Sequence, residues 1–271
     1  MTDVCIIIPA RYASTRYPGK PLARLTGANG TSRSLLERSV IAARKAADQA
    51  GGKISIHVAT DDHRIADEAA RIGAAVIMTD PGCRNGTERV AQAVERAGLT
   101  SEIIINLQGD APLTPPAFVT ALLTVMRLEP ATGVATPVLR CDTDAVTNFI
   151  EDRKNDRVGA TTVVSSHLGQ ALYFSKEVLP YTNGKGVVEG TVPVFHHVGL
   201  YAYRLAALDA YTGWQPGPLE DLEGLEQLRF LERGRHVRCV EVEARGRQFW
   251  ELNNPQDVPR LEQMMQDMAM M

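Results

Sequence analysis

Short apolar, β-branched runs alternate along this chain with longer stretches in which apolar residues recur every three or four positions. The first run, Ile6-Ile7-Ile8, has no polar face, the pattern of a strand covered on both sides, and it breaks at Pro9. Ile54, Ile56 and Val58 alternate with Ser55 and His57, giving a second strand that ends at Thr60 and Asp61. Ala75 to Met78 is a short third strand, and Ile103 to Leu107 a buried fourth. Between them the helical period predicts three helices. One runs from Ser34 to Ala50, opened by the capping-box spacing of Ser34 and Glu37. The next passes through Ile65, Ala69 and Ile72 to a stop at Gly73, and the third runs from an N-cap at Thr87 to Ala97. Strands alternating with helices in this way predict an α/β fold, a Rossmann-like mixed sheet flanked by helices.

The second half reads differently. A helix from Pro116 to Leu128 and a strand from Val134 to Leu139 continue the alternation, and Asp142 to Arg157 is a charged, poorly patterned loop with some helix. Thr161 to Ser165, Ala171 to Ser175 and His197 to Arg204 then read as strands with no long helix between them, which predicts an antiparallel extension. Leu219 to Arg233 reads as one helix ended by Gly234, Val237 to Val242 as a last strand, and Asn254 to Met271 as a final helix. Residues 1–271 are read as a single domain, with no internal repeat and no low-complexity linker.

Composition narrows the function classes. The 271 residues are 44% hydrophobic and 23% charged, ordinary for a globular protein, and the net charge of −3 gives no basic excess to drive nucleic-acid binding. Cys5, Cys83, Cys141 and Cys239 are far apart and form no CxxC pair, so neither a zinc cluster nor a redox motif is suggested. No apolar run approaches the ~20 residues of a membrane span. The expected setting is reducing and cytoplasmic.

The loop after the first strand departs from this even background. Arg11, Arg16 and Lys20 supply three cations, Ser14 and Thr15 two hydroxyls, and Gly19 stands between Pro18 and Pro21. Backbone N–H groups in such a turn converge on phosphate oxygens, and the cations supply charge, so the loop suits a polyphosphate; a solvated surface loop is the plain alternative. It is not a Walker A loop, because Pro21 follows Gly19-Lys20 where Ser or Thr is required. No GxGxxG follows the first strand, which argues against a nicotinamide dehydrogenase. In an open α/β sheet ligands sit beyond the carboxyl ends of parallel strands, so Ala10 to Lys20 should converge with Gln108-Gly109-Asp110. His196 and His197 are adjacent on a strand, point to opposite faces and cannot serve one site.

The run from Pro9 to Leu22, PARYASTRYPGKPL, closely resembles the opening motif of the 3-deoxy-manno-octulosonate cytidylyltransferases. The resemblance continues collinearly in Val58 to Asp61, Gly86 to Arg89, Gln108 to Asp110, Ala171 to Ser175, His197 to Tyr203, Trp214 to Pro216 and Leu225 to Arg229. It implies transfer of CMP from CTP to the anomeric hydroxyl of a 3-deoxy sugar acid, most simply Kdo, with Mg2+ and release of pyrophosphate. Ala10, Arg11, Ser14, Thr15, Arg16 and Lys20 would hold the triphosphate, Lys20 also stabilising charge on the leaving oxygens. Thr87 and Arg89 would shape the nucleotide pocket, or simply cap and solvate their helix. The resemblance gives Asp110 to the metal and Gln108, His197, Tyr201, Glu226 and Gln227 to the sugar acid; Glu226 paired with Arg229 or Arg233 is the alternative. It also implies a homodimer, with residues 160–205 capping the sugar acid and forming the dimer contact.

The chain departs from the family pattern at three places. Asn253 stands where a second metal-binding aspartate is usual, Ala111 replaces a glutamate after Gln108-Gly109-Asp110, and Thr162 takes the place of a lysine. A neutral amide still offers magnesium an oxygen but removes a full negative charge. These changes bear on the acceptor more than on the CTP half, leaving a different acidic acceptor, or an impaired nucleotide-binding paralogue, as alternatives.

Overall fold

A computed structural model describes residues 4–14, 16–110, 112–155, 160–182, 194–244, 251–252 and 254–270. Contacts group the chain into two compact units, Met1–Leu123 with Ala244–Met271, and Thr124–Glu243.

The first unit is built on β1 (Val4–Ala10). Its Ile6, Ile7 and Ile8 are fully buried, each contributing roughly 1.5–3 kcal/mol of apolar burial. The strand does not break at Pro9 but runs on to Ala10, since a proline costs only one ladder donor and here falls next to the strand's end. A hairpin of β2 (Arg24–Thr26) and β3 (Ser32–Ser34) leads to α1 (Leu35–Ala50). Ser34 caps this helix by accepting from Glu37 N at 3.1 Å, as the capping-box spacing predicts. Then follow β4 (Ile54–Thr60), α2 (His63–Arg71), β5 (Ala75–Met78), α3 (Gly86–Arg96) and β6 (Ile103–Leu107). All three pairings among these strands are parallel and give the order β5-β4-β1-β6. The order reverses between β1 and β6, and the loops at that switch point are 11–20 and 108–110.

One expectation fails at α3. Its N-cap is Asn85, which accepts from Glu88 N at 2.8 Å, and Thr87 lies buried inside the first turn. Asn85 and Glu88 have the same spacing as a capping box, so the sequence carried the signal one step upstream.

Helix α4 (Pro116–Leu128) carries the chain into the second unit, which is mostly antiparallel. Strand β7 (Val134–Arg140) is followed by α5 (Thr143–Lys154), β8 (Thr161–Ser165), β9 (Ala171–Ser175), β10 (Phe195–His197), β11 (Leu200–Arg204) and α6 (Leu205–Thr212). Where the sequence reads as charged loop, Asp142 caps the twelve-residue α5 by accepting from Ala145 N at 2.8 Å. The single strand expected from His197 to Arg204 is interrupted. Both β10 and β11 run antiparallel to β7, but two extra residues, Val198 and Gly199, bulge between them. The Thr136 hydroxyl lies 3.2 and 2.9 Å from the carbonyls of Val198 and Leu200 and closes that bulge.

The helix expected over Leu219 to Arg233 is two helices, α7 (Pro218–Glu223) and α8 (Leu228–Glu232). Gly224 takes a left-handed conformation, φ +61°, and its N–H returns to Glu220 O at 2.7 Å, which ends α7 and throws residues 225–227 into a turn. Strand β12 (Arg238–Val242) then pairs parallel with β7. The last helix, α9 (Asp257–Asp267), starts later than expected, after Pro255, and belongs to the first unit. There Leu261, Met264 and Met265 pack with Leu25, Leu35, Leu113 and Leu252.

Candidate active site

The loop leaving β1 is folded on its own tyrosine. Tyr12 O accepts from Ser14 N and Gly19 N, both at 2.9 Å, and the Tyr17 N–H points at Ser14 Oγ at 3.4 Å. Gly19 has φ +72°, and a Cβ there would stand 3.0 Å from the Tyr12 ring, so position 19 admits glycine for two reasons. A face of that ring is covered by the Arg64 guanidinium, 3.3 Å from its centroid. Lys20 opens a short 3-10 turn and reaches Asp110 Oδ2 at 2.8 Å.

A cavity of about 220 Å³ lies at this switch point, lined by Pro9, Ala10, Arg11, Ser14, Arg16, Lys20, Pro21, Asn85, Gly86, Arg89, Gln108, Gly109 and Asp110. Gly109 lets β6 end close beside β1: a Cβ would meet Pro9 O at 3.2 Å. Ser39 Oγ donates to Gly109 O at 3.2 Å, and Leu252 N to Asp110 O at 2.9 Å, so the acidic strand end is held from α1 and from the C-terminal segment. Arg11 and Arg16 are exposed at the mouth, whereas Arg89 is 2% exposed and held by Thr79 Oγ1 at 2.5 Å and by Asp61 at 3.3 Å. A buried guanidinium fixed from behind by a carboxylate is a preorganised cation, in contrast to the two exposed arginines at the rim.

The structure therefore gathers Ala10, Arg11, Ser14, Arg16, Lys20, Arg89, Gln108 and Asp110 around one cavity, but not Thr87. Thr15, Ala111 and Asn253 lie outside the described residues. Asn85 and the Asp61–Arg89 pair were missed in the sequence. The signal for Asn85 was its spacing to Glu88, while nothing local reveals that Asp61 lies behind Arg89. Among the described residues no three His, Cys, Asp or Glu side chains form a metal cluster. Asp110 nevertheless fits a cation: with Oδ2 on Lys20, its buried Oδ1 has no hydrogen-bond partner among the described residues. A buried carboxylate oxygen left bare is costly unless something binds it.

The sugar-acid candidates apart from Gln108 form a second cluster, inside the second unit. Tyr201 OH donates to Gln227 Oε1 at 3.1 Å, and the His197 ring stands 5.5 Å from that of Tyr201 and edge-on to Phe174 at 5.0 Å. His197 Nε2 is 3.1 Å from Thr136 Oγ1. The Thr136 hydrogen faces backbone carbonyls, so its oxygen accepts here, Nε2 carries the ring proton and Nδ1 is left as acceptor. Burial pushes the His197 pKa down to about 3, with His196 adding to the shift, so the ring is neutral. Gln227 is 3% exposed and its Nε2 has no partner among the described residues, which leaves a directed N–H donor. Glu226 is half-buried, and the neighbouring Arg229 pairs with Glu220 at 2.6 Å. Thr162 is fully buried with its hydroxyl on Glu177 O and Leu179 N at 2.6 and 3.0 Å.

A parallel sheet whose switch point carries a cationic loop facing a carboxylate is the framework of a nucleotidyl-transferring enzyme, and the comparisons make the class definite. A family profile described as "Cytidylyltransferase" matches residues 5–238. The chain is similar to the 3-deoxy-manno-octulosonate cytidylyltransferase of Maricaulis maris, 41% identical over 262 residues, 96% of each chain. It is 36% identical to the Chlamydia pneumoniae enzyme of the same name, over 96% of this chain and 93% of that one. Among solved structures it resembles CMP:2-keto-3-deoxy-manno-octonic acid synthetase complexed with CTP, with TM-score 0.81 and 30% identity over 98% of this chain and 100% of that one. The protein belongs to the 3-deoxy-manno-octulosonate cytidylyltransferase family and is a CTP-dependent cytidylyltransferase.

Proposed function

We propose that the protein transfers CMP from CTP to the anomeric hydroxyl of Kdo, releasing pyrophosphate. The observation that carries this reading is the pairing of Lys20 with Asp110 at 2.8 Å inside the cationic cavity. Arg11, Ser14, Arg16 and Lys20 would grip the triphosphate, Arg89 giving a fixed charge and the rim arginines closing over the oxygens. The Lys20 ammonium is a compact charge suited to the bridging and leaving oxygens as negative charge grows there. Asp110 Oδ1 would hold Mg2+, with Asn253 as a neutral second ligand; Leu252 N on Asp110 O supports this pairing in the sequence. Magnesium, when bound, neutralises phosphate charge and polarises the α-phosphorus toward attack.

On the acceptor side, Gln108, His197, Tyr201, Glu226 and Gln227 offer mainly neutral donors and acceptors, which suits a polyhydroxylated acid. A buried Thr162 already committed to two backbone groups supplies no cation for the carboxylate, and this favours a second reading in which another sugar acid is preferred. The test is pyrophosphate release from CTP and Mg2+ with Kdo and with a panel of sugar acids, amino-substituted 3-deoxy acids included. Turnover with Kdo at the highest kcat/KM is expected. A higher value for another acid would replace the acceptor, and CTP binding without turnover on any acid would leave a nucleotide-binding paralogue.

A further inference from the structure

The turn that carries Glu226 and Gln227 is held from beneath by a buried ion pair. Arg229 is 1% exposed and donates Nε and Nη2 to the two oxygens of Glu220, both at 2.6 Å. Its guanidinium lies 4.1 Å over the Tyr211 ring, and Nη1 reaches Trp214 O at 3.3 Å. The Tyr211 hydroxyl stands 3.3 Å from Glu226 O and 3.5 Å from Glu220 Oε1. Glu232 in α8 accepts from Leu219 N and Glu220 N at 2.9 and 3.1 Å, capping α7 and tying the two helices head to tail across the turn.

A buried ion pair is weak support for stability, because desolvating two charges costs about what their attraction returns, and apolar residues of similar size often do as well. What such a pair adds is a single geometry. Here the bidentate fork fixes α8 against α7, and the Tyr211 hydroxyl passes that position to the main chain at Glu226.

We infer that Glu220, Arg229 and Tyr211 are positioning residues that set the acceptor-facing turn, so that acceptor selection by Glu226 and Gln227 is governed from a layer the substrate does not touch. The inference rests on the acceptor reading of Glu226 and Gln227. Tyr211→Phe isolates it, because the ring stays under Arg229 and only the hydroxyl leaves. Losing one hydrogen bond to the turn should raise the acceptor KM about three- to tenfold. The KM for CTP should stay unchanged and kcat fall less than about twofold, with a changed ratio of kcat/KM between Kdo and a second sugar acid. Arg229→Lys, which keeps the charge but not the fork, should move the same ratio the same way. The native chain is assayed first. Its failure to turn over any 3-deoxy sugar acid would overturn the acceptor reading, and this inference with it. Native turnover with Tyr211→Phe altering only the melting temperature, or raising both KM values together, would overturn this inference alone.

Discussion

Lys20 and Asp110 show how one contact serves two sides of a site. The ammonium and carboxylate neutralise each other at 2.8 Å in a half-buried setting, so neither is an isolated charge before the nucleotide binds. Both were legible in the sequence, one from a loop dense in cations, the other from its place at the end of a buried strand. Their convergence was legible as well, from the rule that loops at the carboxyl ends of parallel strands meet; that the ammonium touches the carboxylate directly, across 90 residues, was not. The chemistry assigned to Lys20 makes a distinct prediction. If its charge acts on the leaving oxygens, Lys20→Met lowers kcat about 100-fold or more while CTP affinity by calorimetry falls only severalfold. Equal losses in the two measurements would make Lys20 an ordinary binding cation.

At the scale of elements, period and capping chemistry account for most of what the chain disclosed. The apolar runs of β1, β4 and β6 and the box at Ser34 lead directly to the parallel unit, because each is decided by residues close in sequence. Failures came at single residues that redirect the chain and where a distant partner decides. Gly224 could be passed over as one weak residue in a long helix, but its left-handed turn is what presents Glu226 and Gln227. The split of β10 from β11 depends on Thr136, some 60 residues away. The misplaced cap of α3 yields a test of its own. Asn85→Ala should cost about 1 kcal/mol of stability by denaturant unfolding, and Thr87→Ser, at a position that makes no cap, should leave helix capping intact. Because Asn85 and Gly86 line the cationic cavity and the same helix holds Arg89, the Asn85 variant should also raise the KM for CTP. A stable Asn85→Ala protein would return the cap to another residue.

For the whole molecule, the formal charge of −3 means that the cations of residues 11–20 are a local field set on a mildly acidic protein, and among the described residues no helix is long and apolar enough to cross a membrane. Stability has its own pH signature, to which His197 contributes together with His196, held at about 4 by burial and by Arg153, and His57, lowered by burial. The His197 pKa is held at about 3 in the folded chain by burial, against an ordinary value of 6.5 when unfolded. Above 6.5 both states are neutral and this group contributes no pH dependence. Below 6.5 the unfolded chain takes up a proton that the folded chain refuses, so stability falls with acidification across the window from 6.5 to about 3, by at most about 1.4 kcal/mol per pH unit for this group. Carboxylates paired with arginine in the fold add to the loss only lower, as the pH nears their own range. The melting temperature should therefore begin to drop near pH 6.5 in the native chain, and His197→Gln should reduce the slope between pH 6.5 and 5, leaving the shares of His196 and His57, whatever it does to the plateau. An unchanged slope in that variant would assign the acid sensitivity to another group and remove the argument that His197 is buried as the neutral ring.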